Sequence, residues 1–402
     1  MNTLKRLYGG LRRENYILFF GCIVTRFGCM VNAVLTLILN QKMGFSASEV
    51  SYFMVILGIM YMLFSMLGGK LSDKYNKKYC IICCDVISVI LYLVCSFIEL
   101  SFVSLILISI AAVMQYMESP IYDALITDIT TPENRQKAFA LQYLGINLGI
   151  LFAPTLAGLL FKKHLMLLFL ISSISIGMST ILIATLVKNI EPEKVVSIKE
   201  KSRDGDSVLK ILSENKILFA YLFLMGLYSA VYSECGYLMP LDLGRMYGED
   251  GAIIYGTMNS TNCFIVVIFS TVFLYIFSGI KPQHKMNIAQ LLIAIGYIIY
   301  VIFIDRIPAY YVAITLFTFG EIFATLGSQP FFTSMTPASH RGRINGVREV
   351  LRQGLNSIMM IISGQIYDKK GYMVSWNIVI ITIIVVVILT FLLNLKLGKK
   401  KI

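Results

Sequence analysis

The chain has 402 residues, of which 57% are hydrophobic and only 14% are charged. Soluble domains are roughly 45–50% apolar and about one quarter charged, so a soluble enzyme is excluded, and disorder is excluded because it requires low hydrophobicity. The formal net charge of +12 would suit a protein that binds nucleic acid, so the positions of the basic residues must decide what this charge means.

Twelve apolar runs are each long enough to cross a bilayer, which takes about 20 mostly apolar residues. We number them as spans 1 to 12: 17–39, 50–69, 79–98, 102–125, 138–161, 165–187, 217–240, 253–277, 287–304, 309–333, 346–366 and 373–395. Backbone groups inside a membrane must be hydrogen-bonded within their own segment, so runs of this length predict helices. The first run contains Arg26 and lacks a small-residue cleavage site, so we interpret it as a retained helix and not as a signal peptide. The predicted fold class is an all-α integral membrane protein with twelve transmembrane helices.

Lysine and arginine lie mostly on one side of the predicted spans. The segments on the side of both termini hold 25 of them, the opposite loops hold 7, and 3 lie inside spans. The positive-inside rule therefore predicts a multi-pass protein of the cell membrane, of the bacterial inner-membrane type, with both termini in the cytoplasm. This distribution explains the basic charge without a nucleic-acid partner.

A polar stretch near the middle of the chain divides the spans into two sets of six. The predicted domains are an N-terminal bundle over 1–188, a cytoplasmic linker over 189–216 and a C-terminal bundle over 217–402. The halves resemble each other weakly, because Arg135-Gln-Lys before span 5 matches Arg341-Gly-Arg before span 11. A parallel repeat of this kind is typical of one large class of transporters, and chance similarity between apolar helices is the alternative.

The loop between spans 2 and 3 reads Gly69-Lys-Leu-Ser-Asp73-Lys74-Tyr-Asn76-Lys77-Lys78. We expect Gly69 to let two helix backbones approach closely. Asp73 can accept hydrogen bonds at the N-terminus of a helix, and Asn76 tolerates a left-handed turn. Lys77 and Lys78 favour a cytoplasmic position for the loop.

This loop resembles motif A of the major facilitator superfamily, and the resemblance extends over nearly the whole chain. It implies the major facilitator fold, with two six-helix bundles and a central cavity. It also implies that motif A acts in a gate, where Asp73 and its basic neighbour form a charge network with an acid at the end of span 4 and a basic residue near span 11. Asp128 and Arg341 occupy suitable places for those two partners.

Span 5 contains the segment Gly149-Ile-Leu-Phe-Ala153-Pro154-Thr-Leu-Ala157-Gly158. Small residues at these intervals predict close packing between helices. Together with Ala140, which eight residues separate from Gly149, the segment resembles motif C of the same superfamily, with Ala140, Ala153 and Ala157 at three Gly positions. Motif C marks the drug:proton antiporter branch of multidrug exporters. Motif B, a buried Arg in span 4, is absent from its place near Ile108, and Arg26 in span 1 is a candidate substitute.

Ionisable residues inside spans are costly and usually functional. Glu321 falls near the middle of span 10, where a carboxyl group could carry a proton or meet a cationic substrate, or could make a structural hydrogen bond. Glu234 in span 7 is either a second site of this kind or a residue at the mouth of the protein. Arg26 and Glu118 lie at similar depths, so they form either a coupling ion pair or a static one. For Asp85, nearer the cytoplasmic end of span 3, we expect a hydrated or structural role.

Several further polar residues in the spans are candidates for lining a cavity: Asn32, Gln115, Asn147, Asn259, Asn262 and Gln329. The sequence contains no run with metal-ligand spacing and no Gly-x-x-x-x-Gly-Lys-Ser/Thr run. We therefore expect no metal, no cofactor and no enzymatic activity, with the proton gradient as the energy source.

These patterns predict a proton-coupled secondary active exporter of amphipathic or cationic small molecules, of the multidrug efflux type, that works by alternating access. Its partners would be the small-molecule substrate, protons and the lipid bilayer, and we expect a monomer. One alternative is an importer or exporter of a specific metabolite, sugar or peptide on the same fold. Another is a receptor or lipid-handling membrane protein that transports nothing.

Overall fold

A computed structural model of the chain describes residues 9–188, 215–336 and 341–399. These ranges are helical nearly throughout, and no strand occurs in them. The helices are α1 (Arg13–Gly28), α2 (Val31–Leu37), α3 (Ala47–Lys74), α4 (Lys77–Cys95), α5 (Phe102–Asp128), α6 (Pro132–Ile150), α7 (Ala153–Phe161), α8 (Leu165–Leu186), α9 (Lys216–Ser233), α10 (Leu238–Tyr247), α11 (Gly251–Ile276), α12 (Pro282–Ile302), α13 (Ile307–Met335), α14 (Arg341–Lys370) and α15 (Tyr372–Lys399). A π-helical turn (Ile38–Lys42) follows α2, and 3₁₀ turns (Glu234–Gly236 and Gly248–Asp250) flank α10.

Each predicted span coincides with helix in the described ranges. Spans 1, 5 and 7 are each built from two helices, namely α1 with α2, α6 with α7, and α9 with α10. Ten helical segments of the described chain are long and apolar enough to cross a membrane, and one of them, Lys216–Ile276, holds both span 7 and span 8. Helix α14, which carries Arg348, Glu349 and Arg352, is not among the ten. The all-α, multi-pass fold class predicted from the sequence is confirmed.

Large apolar side chains point outward from these helices. Phe97 is 77% exposed and Phe152 is 69% exposed, and Ile181 and Phe264 are exposed as well. Soluble monomers rarely expose contiguous apolar patches larger than a few hundred Å². A bilayer is the solvent that suits such faces.

Local polar groups decide where several helices begin. Helix α4 starts after Asn76, whose side chain accepts a hydrogen bond from the backbone N–H of Lys78 at 3.0 Å. The φ angle of Asn76 is −63°, so the left-handed turn that we expected there is wrong, and the residue is an N-cap. Ser101 and Ser104 form a reciprocal capping box at the start of α5.

The chain forms two compact units. Unit 1 comprises Met1–Phe45, Ile56–Val196 and Leu243–Cys263, and unit 2 comprises Ser46–Val55, Ser197–Asp242 and Phe264–Ile402. Each unit thus takes one or two short segments from the other half of the sequence. The predicted linker lies almost entirely outside the described residues, as do residues 1–8 and the last three residues, so the predicted domain boundaries stay a prediction.

Helix packing within each unit follows a simple order. In unit 1, α4 packs against α5 and α8, and α1 packs against α6 and α8. In unit 2, α12 packs against α13 and α15, while α9 packs against α14 and α15. In unit 1, α4 and α5 thus lie side by side, and Arg26 of α1 acts electrostatically on Glu118 of α5. In unit 2, the hydroxyl of Tyr232 on α9 contacts Glu321 on α13.

Candidate functional site

Unit 1 contains a pair of buried carboxyl groups, Asp85 on α4 and Glu118 on α5. Asp85 is fully buried and Glu118 is 4% exposed, and their side chains are hydrogen-bonded to each other. A carboxylate can only accept hydrogen bonds, so a bond between two carboxyl groups requires that one of them is protonated. The arrangement therefore suits two acids that share one proton. Asp85 is buried, so of the two roles expected for it, hydrated or structural, its position fits the structural one.

Three neighbours complete this acid pair. Gln115 donates through Nε2 to Asp85 Oδ1 at 3.3 Å and to Ser88 Oγ at 3.2 Å. The hydroxyl of Thr180 on α8 donates to Asp85 Oδ2 at 3.0 Å. Gln115, predicted as a cavity-lining residue, is 5% exposed and belongs to the interior of unit 1 instead.

Arg26 lies close to this acid pair. Its positive charge acts on Glu118, as the depth of the two residues predicted, while its side chain hydrogen-bonds to Cys22. Glu118 makes its side-chain hydrogen bond with Asp85, so the acid pair joins α4 and α5. Arg26 lies on a third helix, α1. The sequence indicated Arg26 and Glu118 as partners but missed Asp85.

Glu234 in unit 2 lies at a break in span 7. Helix α9 ends at Ser233, a 3₁₀ turn covers Glu234–Gly236, and α10 follows. Glu234 is fully buried, so it is not a residue at the mouth of the protein. Ser363 on α14 donates to its Oε2 at 3.0 Å, whereas its Oε1 has no hydrogen-bond partner within the part of the chain that the structure describes.

Glu321 is the central residue of α13, fourteen residues from either end of that helix. It is partly buried, and the hydroxyl of Tyr232 on α9 donates to its Oε2 at 2.8 Å. This position agrees with the depth expected from the sequence. The structural hydrogen bond that we considered as an alternative is present, and partial exposure leaves the carboxyl group reachable.

Two lysines of the motif A loop bind groups on neighbouring helices. Lys77 Nζ forms an ion pair with Asp128 Oδ2 at 2.7 Å, and Lys78 Nζ donates to the backbone carbonyls of Ala184 and Val187 at the end of α8, both at 2.7 Å. Asp128 is thus joined to the loop through Lys77, whereas the expected network runs through Asp73, its basic neighbour and Arg341 and stays a prediction. Asp73 and Lys74 are exposed, and the side chain of Arg341 lies outside the described residues.

The close helix approach expected at Gly69 occurs one residue earlier. A Cβ atom placed on Gly68 would lie 2.1 Å from the carbonyl oxygen of Met117 on α5, whereas a Cβ on Gly69 would have no described heavy atom within 4 Å. Our assignment of Gly69 is therefore wrong. One residue of shift on a helix turns the side chain by about 100°, which moves it from the packed face to the open face.

The motif C segment packs backbone against backbone, as its small residues predicted. A Cβ on Gly158 would lie 2.3 Å from the carbonyl oxygen of Ala252 on α11, and one on Gly149 would lie 2.6 Å from the carbonyl oxygen of Ile23 on α1. Ala153 and Ala157 are buried, and Pro154 starts α7. Close contact of this kind needs small residues on the facing surfaces.

The remaining cavity candidates differ in their hydrogen bonds. Asn147 and Asn259 donate to the carbonyl oxygens of the residues four positions earlier, at 2.8 and 3.0 Å. Asn32 Oδ1 is buried with no hydrogen-bond partner among the described residues, and Asn262 lies on α11 in unit 1. Gln329 on α13 accepts a hydrogen bond from Arg348 at 3.0 Å.

Two arginines of α14 are functional candidates that sequence reasoning missed. Arg348 donates to Gln329 and lies over the ring of Phe332, and Arg352 forms an ion pair with Glu349. The sequence did contain a signal, because both arginines stand inside a predicted span and charges there are usually functional.

Comparison with known proteins assigns the chain to a family. The profile described as Major Facilitator Superfamily matches residues 18–355. The chain belongs to the major facilitator superfamily. It is a multi-pass membrane transporter and not an enzyme.

Individual relatives within this superfamily are distant. An uncharacterized MFS-type transporter, YqjV of Bacillus subtilis (strain 168), is 20% identical over 75% of this chain and 74% of its own length. A Na⁺, Li⁺, K⁺/H⁺ antiporter of Planococcus maritimus is 19% identical over 72% of this chain and 74% of its own length.

Solved structures show the same fold at low sequence identity. A peptide transporter POT variant aligns with a TM-score of 0.81 at 12% identity, covering 96% of this chain and 95% of its own. The nucleoside transporter NupG, also as a variant, aligns with a TM-score of 0.74 at 14% identity, covering 94% of this chain and 99% of its own. At this identity the likeness concerns the fold alone.

Proposed function

We propose that this major facilitator protein is a proton-coupled secondary active exporter of amphipathic or cationic small molecules. The observation that carries the proposal is Glu321, a partly buried carboxyl group at the centre of α13, held by the hydroxyl of Tyr232. A group at that depth can be neutralised by a proton or by a cationic ligand, and only one of the two at a time. Because the proton and the cationic ligand compete for one carboxyl group, the flux of protons is coupled to an opposite flux of the ligand.

The coupling cycle follows from the charge of Glu321. As a carboxylate, it attracts the cationic part of a substrate, and Tyr232 O–H stabilises this charge with a charge-assisted hydrogen bond. A proton entering from outside neutralises Glu321 and weakens the binding of the substrate, which leaves. Alternating access then requires the two bundles to rock about the central site, as transporters built from repeats do.

The Asp85–Glu118 pair is the second proton store of this mechanism. It holds one proton between two buried acids, and Arg26 lies near enough to act on Glu118. Movement of α1 relative to α4 and α5 would change the influence of Arg26 on the pair and thereby its proton occupancy. The charge on Glu321 and the charge on this pair could change at different stages of the cycle.

The outward direction is supported by motif C and its packing. The contact of Gly158 with α11 and of Gly149 with α1 reproduces the close packing that this motif requires. The relative from Planococcus maritimus is an antiporter by name, which also supports exchange. The distribution of lysine and arginine places both termini in the cytoplasm, so protons would enter from the outer side.

The test is transport of ethidium, a cationic amphipathic dye, in proteoliposomes with an imposed pH gradient. We expect Glu321→Gln to abolish gradient-driven flux, because Gln keeps the hydrogen-bonding oxygen but cannot change charge. Glu99→Gln is the matched control, since Glu99 is exposed in the loop between α4 and α5. Reversing the gradient separates export from import, and unchanged gradient-driven flux in Glu321→Gln would remove Glu321 from the mechanism.

A second candidate function is exchange of alkali cations for protons. It is favoured by the oxygen atoms that Asp85, Glu118 and Thr180 bring together, and by the Na⁺, Li⁺, K⁺/H⁺ antiporter among the relatives. Proton release from acidic vesicles on addition of Na⁺, Li⁺ or K⁺, followed with a pH-sensitive dye, tests it. Loss of this response in Asp85→Asn, with ethidium flux absent in the wild type, would favour the cation exchanger.

A further inference from the structure

Unit 2 contains a cavity of about 220 Å³ beside Glu321. Helices α9, α13 and α14 form its walls, and Met286 of α12 closes one side. Its polar lining residues are Tyr221, Tyr228, Ser229, Ser328, Arg348 and Arg352, together with Glu349. Known ligand pockets of about 300–1,000 Å³ take drug-sized molecules, so this cavity suits a smaller ligand with a single ring.

The cavity carries one net positive charge. Arg348 and Arg352 contribute two guanidinium groups, and Glu349 contributes one carboxylate. Glu349 forms a two-point ion pair with Arg352, in which Arg352 Nε donates to Glu349 Oε2 at 2.9 Å. The charge of Arg352 is therefore largely balanced, and Arg348 is the main source of positive potential.

Arg348 is held in position by two uncharged groups, while the Glu349 carboxylate, which is hydrogen-bonded to Arg352, also acts on it electrostatically. Its Nη1 donates to Gln329 Oε1 at 3.0 Å, and its guanidinium carbon lies 4.7 Å from the centre of the Phe332 ring. Both partners are uncharged, and a guanidinium has five N–H donors, of which the bond to Gln329 uses one. A planar group fixed in this way is suited to two-point binding of a carboxylate.

A buried hydroxyl group beside Arg348 has no partner. Tyr221 is 1% exposed, and in the described part of the chain its hydroxyl makes no hydrogen bond. Its ring packs edge-on against Phe331 with the ring centres 4.7 Å apart, and its hydroxyl interacts electrostatically with Arg348. A buried donor left unpaired destabilises the folded protein, and an anionic oxygen in the cavity would remove that cost.

The cavity and Glu321 share the same helix faces. Ser328 lies seven residues after Glu321 on α13, which is two turns and about 10 Å along the same face. On α9, Tyr228 lies one turn from Tyr232, the residue that binds Glu321. Glu321 is not a lining residue itself, but its charge acts on the hydroxyl of Tyr228, which lines the cavity.

We propose that this cavity binds the carboxylate of a small amphipathic organic acid, with Arg348 and the Tyr221 hydroxyl as its ligands. The inference rests on the proposed transport function for its biological meaning, and it extends the substrate class from cations to molecules that carry a carboxylate. In a zwitterionic substrate the carboxylate lies at Arg348 and the cationic group reaches toward Glu321.

The experiment measures binding of benzoate to the purified full-length protein by isothermal titration calorimetry, without any proton gradient. Benzylamine and benzamide present the same ring with a positive charge and with no charge. We expect saturable binding of benzoate that is stronger than that of either comparator. Arg348→Gln and Tyr221→Phe should each weaken it by about tenfold or more, because both hydrogen bonds end on a charged carboxylate.

The controls separate binding from folding. Lys163→Gln removes an exposed cation of unit 1 and should leave benzoate binding unchanged. Arg348→Lys keeps the charge and should bind better than Arg348→Gln, and the melting temperature of each variant without ligand reports whether it is folded.

Three results would overturn the proposal. These are absence of saturable benzoate binding, equal binding of benzylamine, and equal binding in the folded Arg348→Gln variant. Stronger Arg348-dependent binding of inorganic phosphate or of short-chain phosphatidylglycerol would also overturn it, in favour of a phosphate site. Because no gradient is present, failure of the Glu321→Gln transport test would leave this measurement unaffected.

Discussion

Gly158 is a point where two helices of unit 1 touch through their backbones. A Cβ atom there would lie 2.3 Å from the carbonyl oxygen of Ala252 and 2.8 Å from the Cα of Ile253. Comfortable contacts are about 3.5–4.0 Å, so Gly158→Ala has to push α7 and α11 apart by roughly 1 Å. Because the obstructing atoms are backbone, no side-chain rotation can relieve the clash.

The cost of this change can be worked from the contacts. Overpacking costs about 1–3 kcal/mol, and the hydrogen bond from Thr155 Oγ1 to Ser260 Oγ, 2.7 Å long across the same interface, would lengthen and lose up to about 1 kcal/mol. We expect Gly158→Ala to lower the free energy of unfolding by about 1–4 kcal/mol and the melting temperature by roughly 1–5 °C.

Thermal unfolding of the purified protein in detergent measures the effect. Gly177→Ala is the matched control, because a Cβ on Gly177 would meet only Val89, at an ordinary 3.8 Å. An unchanged melting temperature in Gly158→Ala would refute the reasoning, since it would mean that α7 and α11 do not touch at this residue.

Two other substitutions test contacts within single units. Asp368→Asn weakens the cap of α3, where the carboxylate accepts from the backbone N–H of Ala47 at 3.0 Å and of Ser48 at 2.8 Å, and we expect a loss of about 1 kcal/mol in thermal unfolding, with no loss contradicting the cap. Gly68→Ala should reduce the yield of folded protein because its Cβ would lie 2.1 Å from Met117 O, whereas Gly69→Ala should not, and equal yields would place the close approach elsewhere.

The spans could be predicted because hydrocarbon constrains the backbone strongly. Any run of about 20 apolar residues in a membrane must satisfy its own hydrogen bonds, so helix is the outcome whatever the neighbours are. The position of Glu321 near the middle of the membrane was predicted by counting residues along span 10 in the same way. The breaks at Leu151–Phe152 and Glu234–Gly236 were not foreseen, because they depend on packing between helices and not on the hydropathy of one.

The sequence alone could not predict which residues on different helices contact each other. Glu118 contacts Asp85 because of the way α5 is rotated about its axis relative to α4. The hydrophobic periodicity of either helix alone does not predict this rotation. The same holds for Gly68 and Gly69, which differ only in the face on which they lie. Arg348 was overlooked for another reason: it stands near the end of its span, where arginine is commonly assigned to the membrane surface.

The exchange of short segments between the units has a consequence for biosynthesis. Unit 1 includes Leu243–Cys263 and unit 2 includes Ser46–Val55, so neither half of the polypeptide carries a whole unit. The backbone surface of α7 at Gly158 must stay uncovered in the nascent chain until α11 has left the ribosome. A truncated protein that ends at the linker would insert into the membrane with this surface of α7 unpaired. Co-expression of the missing half should restore the amount of the truncated protein in the cell.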